Sequence, residues 1–322
     1  MTASPSDRRQ AVIMLLLANL FWGLSFPLIK TIQYTHQQLL PASDNWFVTA
    51  MTLAPRFLLG LIVLLVLCRK QLGTFTAGEW RQGIALGWTA SLGMLFQIDA
   101  LQFTSASVSA FLTQFYAIMI PVYLAWRAWR MPSVTIWLSC ALVLAGVAIL
   151  GRFDFRAMHF GRGELETLLS SVFFMGQILT LEKKRYFTNR VMPVTIVMFA
   201  VEALAFTMLA LIKAPQLSDV LVPWSSMHWL GFTALLTIFC TLGSFTIMNK
   251  WQPKISATEA GLLYCFEPIF GSIMALFLPA IFSVWAGLHY ANESVTWHLI
   301  VGGGLITLAN VFIQLRPPPK PA

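Results

Sequence analysis

Three ionisable side chains, Arg56, Glu202 and Glu267, stand deep inside apolar stretches of this chain. Counted at 1.5 Å per residue from Trp46, Val191 and Ile255, they lie about 15 to 18 Å in, near the middle of a ~30 Å hydrocarbon layer. Charges at that depth are costly, and they mark pathways or compensated pairs. Arg56 reads in two ways: as a lock between helices held by carbonyls and hydroxyls, or as half of an ion pair with Glu202, which occupies the equivalent place in the other half of the chain. Glu267 precedes Pro268, which frees a carbonyl one turn back, so its reading divides between supporting a hinge and handling substrate or proton. Glu202 has no such proline and leans towards function. A carboxyl in these surroundings is suited to taking up and releasing a proton.

Helical spacing adds polar stripes around these charges. Ser109, Thr113 and Tyr116 share one face, as do Ala260, Tyr264 and Glu267, which places the Tyr116 phenol to hydrogen-bond Glu267. Ala18, Trp22 and Ser25 form a stripe that matches Ser170, Phe174 and Gln177. Small, aromatic and hydrogen-bonding groups together are what a ligand cavity uses, although ordinary helix packing uses Ser, Ala and Gly too. Trp46, Trp80, Trp126, Trp129, Trp229, Trp251 and Trp297 fall at the ends of apolar runs and read as interfacial anchors. Trp22 and Trp88 do not, so they join the cavity candidates. The substrate-binding or coupling set is therefore Trp22, Ser25, Arg56, Trp88, Thr113, Tyr116, Gln177, Glu202, Tyr264 and Glu267. Asp99, Gln97 and Gln102 read as solvation of an outer mouth, and Glu164 and Glu166 as helix caps. Gly83, Gly87 and Gly302 to Gly304 would allow close helix approach.

Positioning these groups requires a membrane bundle. The 322 residues are 57% hydrophobic and only 11% charged, with a mean hydropathy of +0.72. A soluble domain carries roughly a quarter charged residues, so that class is excluded, and so is disorder. Apolar runs bounded by charge, Pro or Trp predict ten helices near 11–34, 46–67, 83–104, 106–126, 133–150, 164–182, 191–212, 228–249, 258–281 and 296–315. The 21 Lys and Arg exceed the 13 Asp and Glu, and most of them, such as Arg69, Lys70, Arg81, Lys183, Lys184, Arg185 and Arg190, fall on the side of the N-terminus. The positive-inside rule then places both termini in the cytoplasm, which makes the basic surplus a matter of topology rather than of nucleic acid. The first run is too long for the apolar region of a cleaved signal peptide. Cys68, Cys140, Cys240 and Cys265 lack metal or redox spacing, and no motif for ATP hydrolysis, zinc chemistry or a serine nucleophile occurs. No cofactor, metal or catalytic residue is expected.

The second half repeats the first weakly and in order. Leu16 to Ser25 lies on Leu168 to Gln177, Val48 to Arg56 on Val194 to Glu202, and Ser105 to Leu112 on Ser256 to Leu263. Five helices is an odd number, so the second copy must be inverted relative to the first, as in many secondary transporters. The expected architecture is all-α: an N-terminal tail (1–10), a first five-helix repeat (11–150), a second (163–315) and a C-terminal tail (316–322).

The run Leu17-Ala18-Asn19-Leu20-Phe21-Trp22-Gly23-Leu24-Ser25-Phe26, the stretch from Arg56 to Gly60, Thr104-Ser105-Ala106, Glu267-Pro268, and Glu293 followed by Gly302-Gly303-Gly304 resemble EamA-type members of the drug/metabolite transporter superfamily. The resemblance covers about residues 11–315. It implies ten helices in two inverted repeats, usually in the bacterial inner membrane, moving amino acids or other small metabolites through a central cavity walled by the first four helices of each repeat. Trp129-Arg130 stands where the family commonly has a Gly-Glu pair, and the outer connections 31–45 and 282–294 look long. The expected function is a secondary transporter or facilitator, an exporter by preference, with acid groups available for proton coupling. Its partners are a small-molecule substrate and the lipid bilayer, with no nucleic acid. A non-transporting sensor or scaffold on the same fold is the alternative, and a membrane-embedded enzyme a further one.

Overall fold

The computed structural model describes residues 5–100, 103–104, 106–129, 131–152 and 161–314. Gln102, Arg130, residues 1–4 and the C-terminal tail lie outside them. The described residues are helical, with no strand. In chain order the helices are α1 (Pro5–Leu39), α2 (Asn45–Leu67), α3 (Ala77–Ala100), α4 (Ala106–Thr113), α5 (Tyr116–Ala128), α6 (Val134–Leu150) and α7 (Arg162–Leu181). There follow α8 (Val191–Lys213), α9 (Met227–Thr237), α10 (Ser244–Trp251), α11 (Ala257–Tyr264), α12 (Glu267–Ala275), α13 (Leu278–Ala286) and α14 (Trp297–Gln314).

By length and apolarity, four described segments can cross a membrane: Ser6–Leu39, Asn45–Leu67, Val191–Lys213 and Met227–Lys254. The pair Ala257–Ala275 and Leu278–Ala286, bent by 56°, adds a fifth if it forms one span. Every apolar run picked out in the sequence is helical, but three are interrupted. Between α9 and α10 the chain takes a π turn, Ile238–Gly243. Between α11 and α12 it breaks at Cys265 and Phe266, because Pro268 has no N–H to give the Tyr264 carbonyl. The break between α4 and α5 falls at Gln114 and Phe115, the matching place in the first half. Further along α5, Pro121 leaves the Ala117 carbonyl without its helical donor, and Cys140 of α6 supplies one through its Sγ at 3.3 Å.

The connection expected to be long at 31–45 is mostly helix, since α1 runs to Leu39 and Thr31 and Thr35 bond carbonyls one turn back. The other, at 282–294, contains the end of α13, which folds back onto α9. There Trp285 meets Phe232 with ring centroids 4.4 Å apart, and a Cβ on Gly231 would come within 2.5 Å of the Trp285 ring.

The helices pair in a definite pattern. α2 packs along α8, α6 along α14, α3 against both α7 and α8, and α1 against α9, α10 and α12. Glycines set the closest approaches. A Cβ on Gly146 would lie 2.7 Å from the Gly302 carbonyl oxygen, and one on Gly302 would lie 2.6 Å from that of Gly146. Gly83 and Gly87 likewise admit Val197 and Val201 of α8. Gly304 touches nothing within 4 Å, so it takes no part in that seam. Two tryptophans expected at the interface are instead interior: Trp229 is fully buried in a second apolar core with Leu28, Ile32 and Phe47, and Trp251 lies under Lys250 and Lys254.

Candidate functional site

Arg56 sits in the middle of α2, one turn past Thr52 and one turn before Gly60, on the face that packs against α8 and the π turn. Its side chain is buried. Nε donates to Thr241 Oγ1 at 2.8 Å, a terminal nitrogen to the Cys240 carbonyl at 3.3 Å, and the guanidinium lies 4.9 Å from the Phe57 ring centroid. Both acceptors belong to the π turn. Thr241 Oγ1 itself donates to the Leu236 carbonyl five residues back at 3.2 Å, so its lone pairs remain for Arg56. A π turn inserts one residue into a helix and often marks a functional place.

Glu202, on the inner face of α8, has no exposed surface, and neither carboxyl oxygen has a hydrogen-bond partner among the described residues. Arg56 is within electrostatic range of Glu202 and of Glu267. It makes no ion pair with either, because its hydrogen bonds go to the π turn. The expected Arg56–Glu202 bridge is therefore not formed, and of the two readings of Arg56 the structure displays the helix lock.

Glu267 opens α12 immediately after the break, partly buried, with Tyr116 and Cys265 in electrostatic range. No hydrogen bond joins it to Tyr116 among the described residues, which departs from the expected contact. Cys265 Sγ instead crosses to Gln114 Oε1 at 3.2 Å, joining the two helix breaks. Tyr264 is buried, and its hydroxyl donates to Gln252 Oε1 at 2.8 Å while Gln252 Nε2 reaches the Ile178 carbonyl at 2.8 Å. Trp22 stands edge-on to Tyr264 at 5.3 Å and to Phe245 at 5.7 Å, and Phe245 in turn meets Phe57 at 5.9 Å. Trp22 reaches that position because Gly23 lets α1 press on the backbone of Phe270 and Gly271 in α12.

Six of the ten sequence candidates thus converge: Trp22, Arg56, Tyr116, Glu202, Tyr264 and Glu267. Ser25 spends its hydroxyl on the Trp22 carbonyl at 2.6 Å. Thr113 donates to the Ser109 carbonyl at 2.8 Å and accepts from Gln97 at 3.2 Å, which ties α3 to α4. Gln177 is buried with Nε2 unpartnered, and no described contact joins it to the Arg56 group. Trp88 is 53% exposed, at odds with an interior role. Cys240, Thr241, Gln114 and Gln252 were missed. Cys240, Thr241 and Gln114 stand unmarked in apolar runs and gain partners only through the π turn and the helix breaks, and Gln252 stands on the connection after α10.

The flanking acids also differ from expectation. Asp99 is 4% exposed and pairs with Arg162 at 2.6 Å, so it does not solvate a mouth. Glu164 accepts from the Gly161 N–H as a cap and also from Thr104, while Glu166 pairs with Arg162 at 2.7 Å. At the opposite end Arg8 pairs with Glu259, and Lys254 pairs with Asp7 at 3.1 Å. Nearby, Arg190 bonds Glu79 through Nε at 2.7 Å and holds that carboxyl down at about 2.

Residues 9–152 match the EamA-like transporter family. No curated protein sequence matches the chain. A solved crystal structure, described only as that of a protein, is similar over 95% of this chain and 96% of its own, with a TM-score of 0.66 at 15% identity, and so shares the fold. The matched residues make the first half similar to the EamA-like transporter family, and helices long and apolar enough to cross a bilayer mark an integral membrane protein.

Proposed function

We propose that this protein is a secondary transporter of small organic metabolites, built as ten spans in two inverted repeats, 11–150 and 163–315. In this reading both termini are cytoplasmic in a bacterial inner membrane, and alternating access at the Arg56, Glu202 and Glu267 centre drives export coupled to protons. The observation that carries it is the pairing pattern. Under exchange of the two halves, α2 with α8 and α6 with α14 are self-paired, while α3 with α7 becomes the α9–α10 segment with α1. The breaks at Gln114–Phe115 and Cys265–Phe266 exchange in the same way.

The ion pairs support the same reading. Arg162, at the start of α7, clasps Asp99 at the end of α3. Asp7 and Arg8, at the start of α1, clasp Lys254, on the connection from α10 to α11, and Glu259, in the first turn of α11. By repeat equivalence these are one clasp used twice, at opposite ends of the bundle, as gates on two sides of a barrier require. At the centre, Glu202 is a buried carboxyl with no hydrogen-bond partner among the described residues, and such an intramembrane acid marks a proton or substrate path.

Two measurements test this. Thiols introduced by Pro41→Cys and Lys184→Cys should react from opposite sides of the membrane; reaction from one side would end the inverted-repeat reading. In proteoliposomes, a pH gradient should drive solute flux through the parent protein and not through Glu202→Gln. Full pH-driven flux in both Glu202→Gln and Glu267→Gln would remove the proton coupling.

A further inference from the structure

The end of the bundle that carries the N-terminus holds a cavity of about 310 Å3, lined by Asp7, Gln82, Arg190, Asn249, Lys250 and Lys254 among others. That is large enough for a small metabolite. Its charges are mostly spoken for: Arg190 by Glu79 and Lys254 by Asp7. Lys250 has no acidic partner among the described residues, and its ammonium rests 5.3 Å over the Trp251 ring. The cavity therefore offers one uncompensated positive charge.

Asn249 supplies the second observation. Thr195 gives its hydroxyl proton to the Val191 carbonyl at 2.9 Å, so towards Asn249 it can only accept. Asn249 must then present its amide nitrogen, which reaches Thr195 Oγ1 at 3.0 Å and Met198 Sδ at 3.7 Å. That fixes the amide, and Oδ1 is left buried with no donor. An unfilled acceptor and an ammonium without an acidic partner on the wall of one cavity call for a ligand with both an anion and a hydrogen-bond donor.

We propose that this cavity is a loading vestibule for a small carboxylate-bearing solute that also carries a hydroxyl or amino donor. The carboxylate faces Lys250 and the donor faces Asn249. From there the inner face of α8 runs through Val194, Thr195 and Met198 to Glu202, about 12 Å further in at 1.5 Å per residue. The vestibule's role in transport rests on the reading above; its ligand chemistry does not.

The test uses the full-length protein in phosphatidylcholine nanodiscs, with Cys68→Ser removing the one native thiol that is not buried. Phe187→Cys places a thiol on the cavity wall, and Lys184→Cys places one outside it. Modification rates with an anionic and a cationic methanethiosulfonate are compared, each normalised to the Lys184→Cys protein. The cavity thiol should favour the anionic reagent by about threefold or more, the effect of one poorly screened charge at short range, and Lys250→Gln should erase the preference. Millimolar malate should slow modification, and less so in Lys250→Gln. An unchanged preference in Lys250→Gln, no protection by malate, or protection conferred by phosphatidylglycerol in place of malate would overturn the proposal. Because the assay reads binding without flux, its failure is separate from a failure of the transport reading.

Discussion

Cys265 donates its thiol hydrogen to Gln114 Oε1 across 3.2 Å, and these two residues sit at the breaks between α11 and α12 and between α4 and α5. A helix break leaves carbonyls and amides without intrahelical partners, which hydrocarbon cannot satisfy. Placing the two breaks against each other inside the bundle keeps that irregular backbone away from lipid. It also puts Tyr116 and Glu267, the first residues after each break, on either side of one centre.

Glu202→Gln keeps the shape of the side chain and removes its charge. We expect the variant to fold with a stability change of about 1 kcal/mol or less, since no hydrogen bond to Glu202 is lost, while flux loses its pH dependence. Thermal unfolding in detergent and pH-jump flux measure the two halves of the statement.

Thr241→Val removes the acceptor for Arg56 Nε while preserving volume. Leaving a buried charged donor short of a partner should cost about 1 to 3 kcal/mol. Chemical or thermal unfolding would show it. A neutral outcome would mean that Arg56 has another partner within reach, and Glu202 is the group to look for by pairing Thr241→Val with Glu202→Gln.

Gly302→Ala should destabilise by about 1 to 3 kcal/mol, because the new methyl meets the Gly146 carbonyl and the Leu150 backbone, neither of which can swing aside. Gly304→Ala, two residues on, meets nothing and should be neutral or stabilising by up to about 1 kcal/mol. The contrast between these neighbours in one helix isolates the seam from helix propensity.

Glu79 lies in the first turn of α3, ahead of its apolar stretch, with its carboxyl held at about 2 by hydrogen bonding from Arg190. A depressed carboxyl stabilises the folded state at pH values above its unfolded value of about 4.5, and that contribution is lost as pH falls through about 2. Acid unfolding should therefore begin at higher pH in Arg190→Gln than in the parent. Identical acid midpoints would show that the pair does not contribute.

The amino-acid sequence alone determined that the chain is helical and apolar and where its helices run. Hydrocarbon demands long apolar helices with few charges, and that demand is written residue by residue. Facing, however, depends on rotation of each helix about its axis, and partners distant in sequence decide that. Thus Arg56 finds Thr241, 185 positions away, through a π turn that no local pattern announces. Trp88 and Trp229 traded their expected places for the same reason: hydropathy gives both side chains equal weight, and only packing against α1 and α2 separates an interior ring from an exposed one.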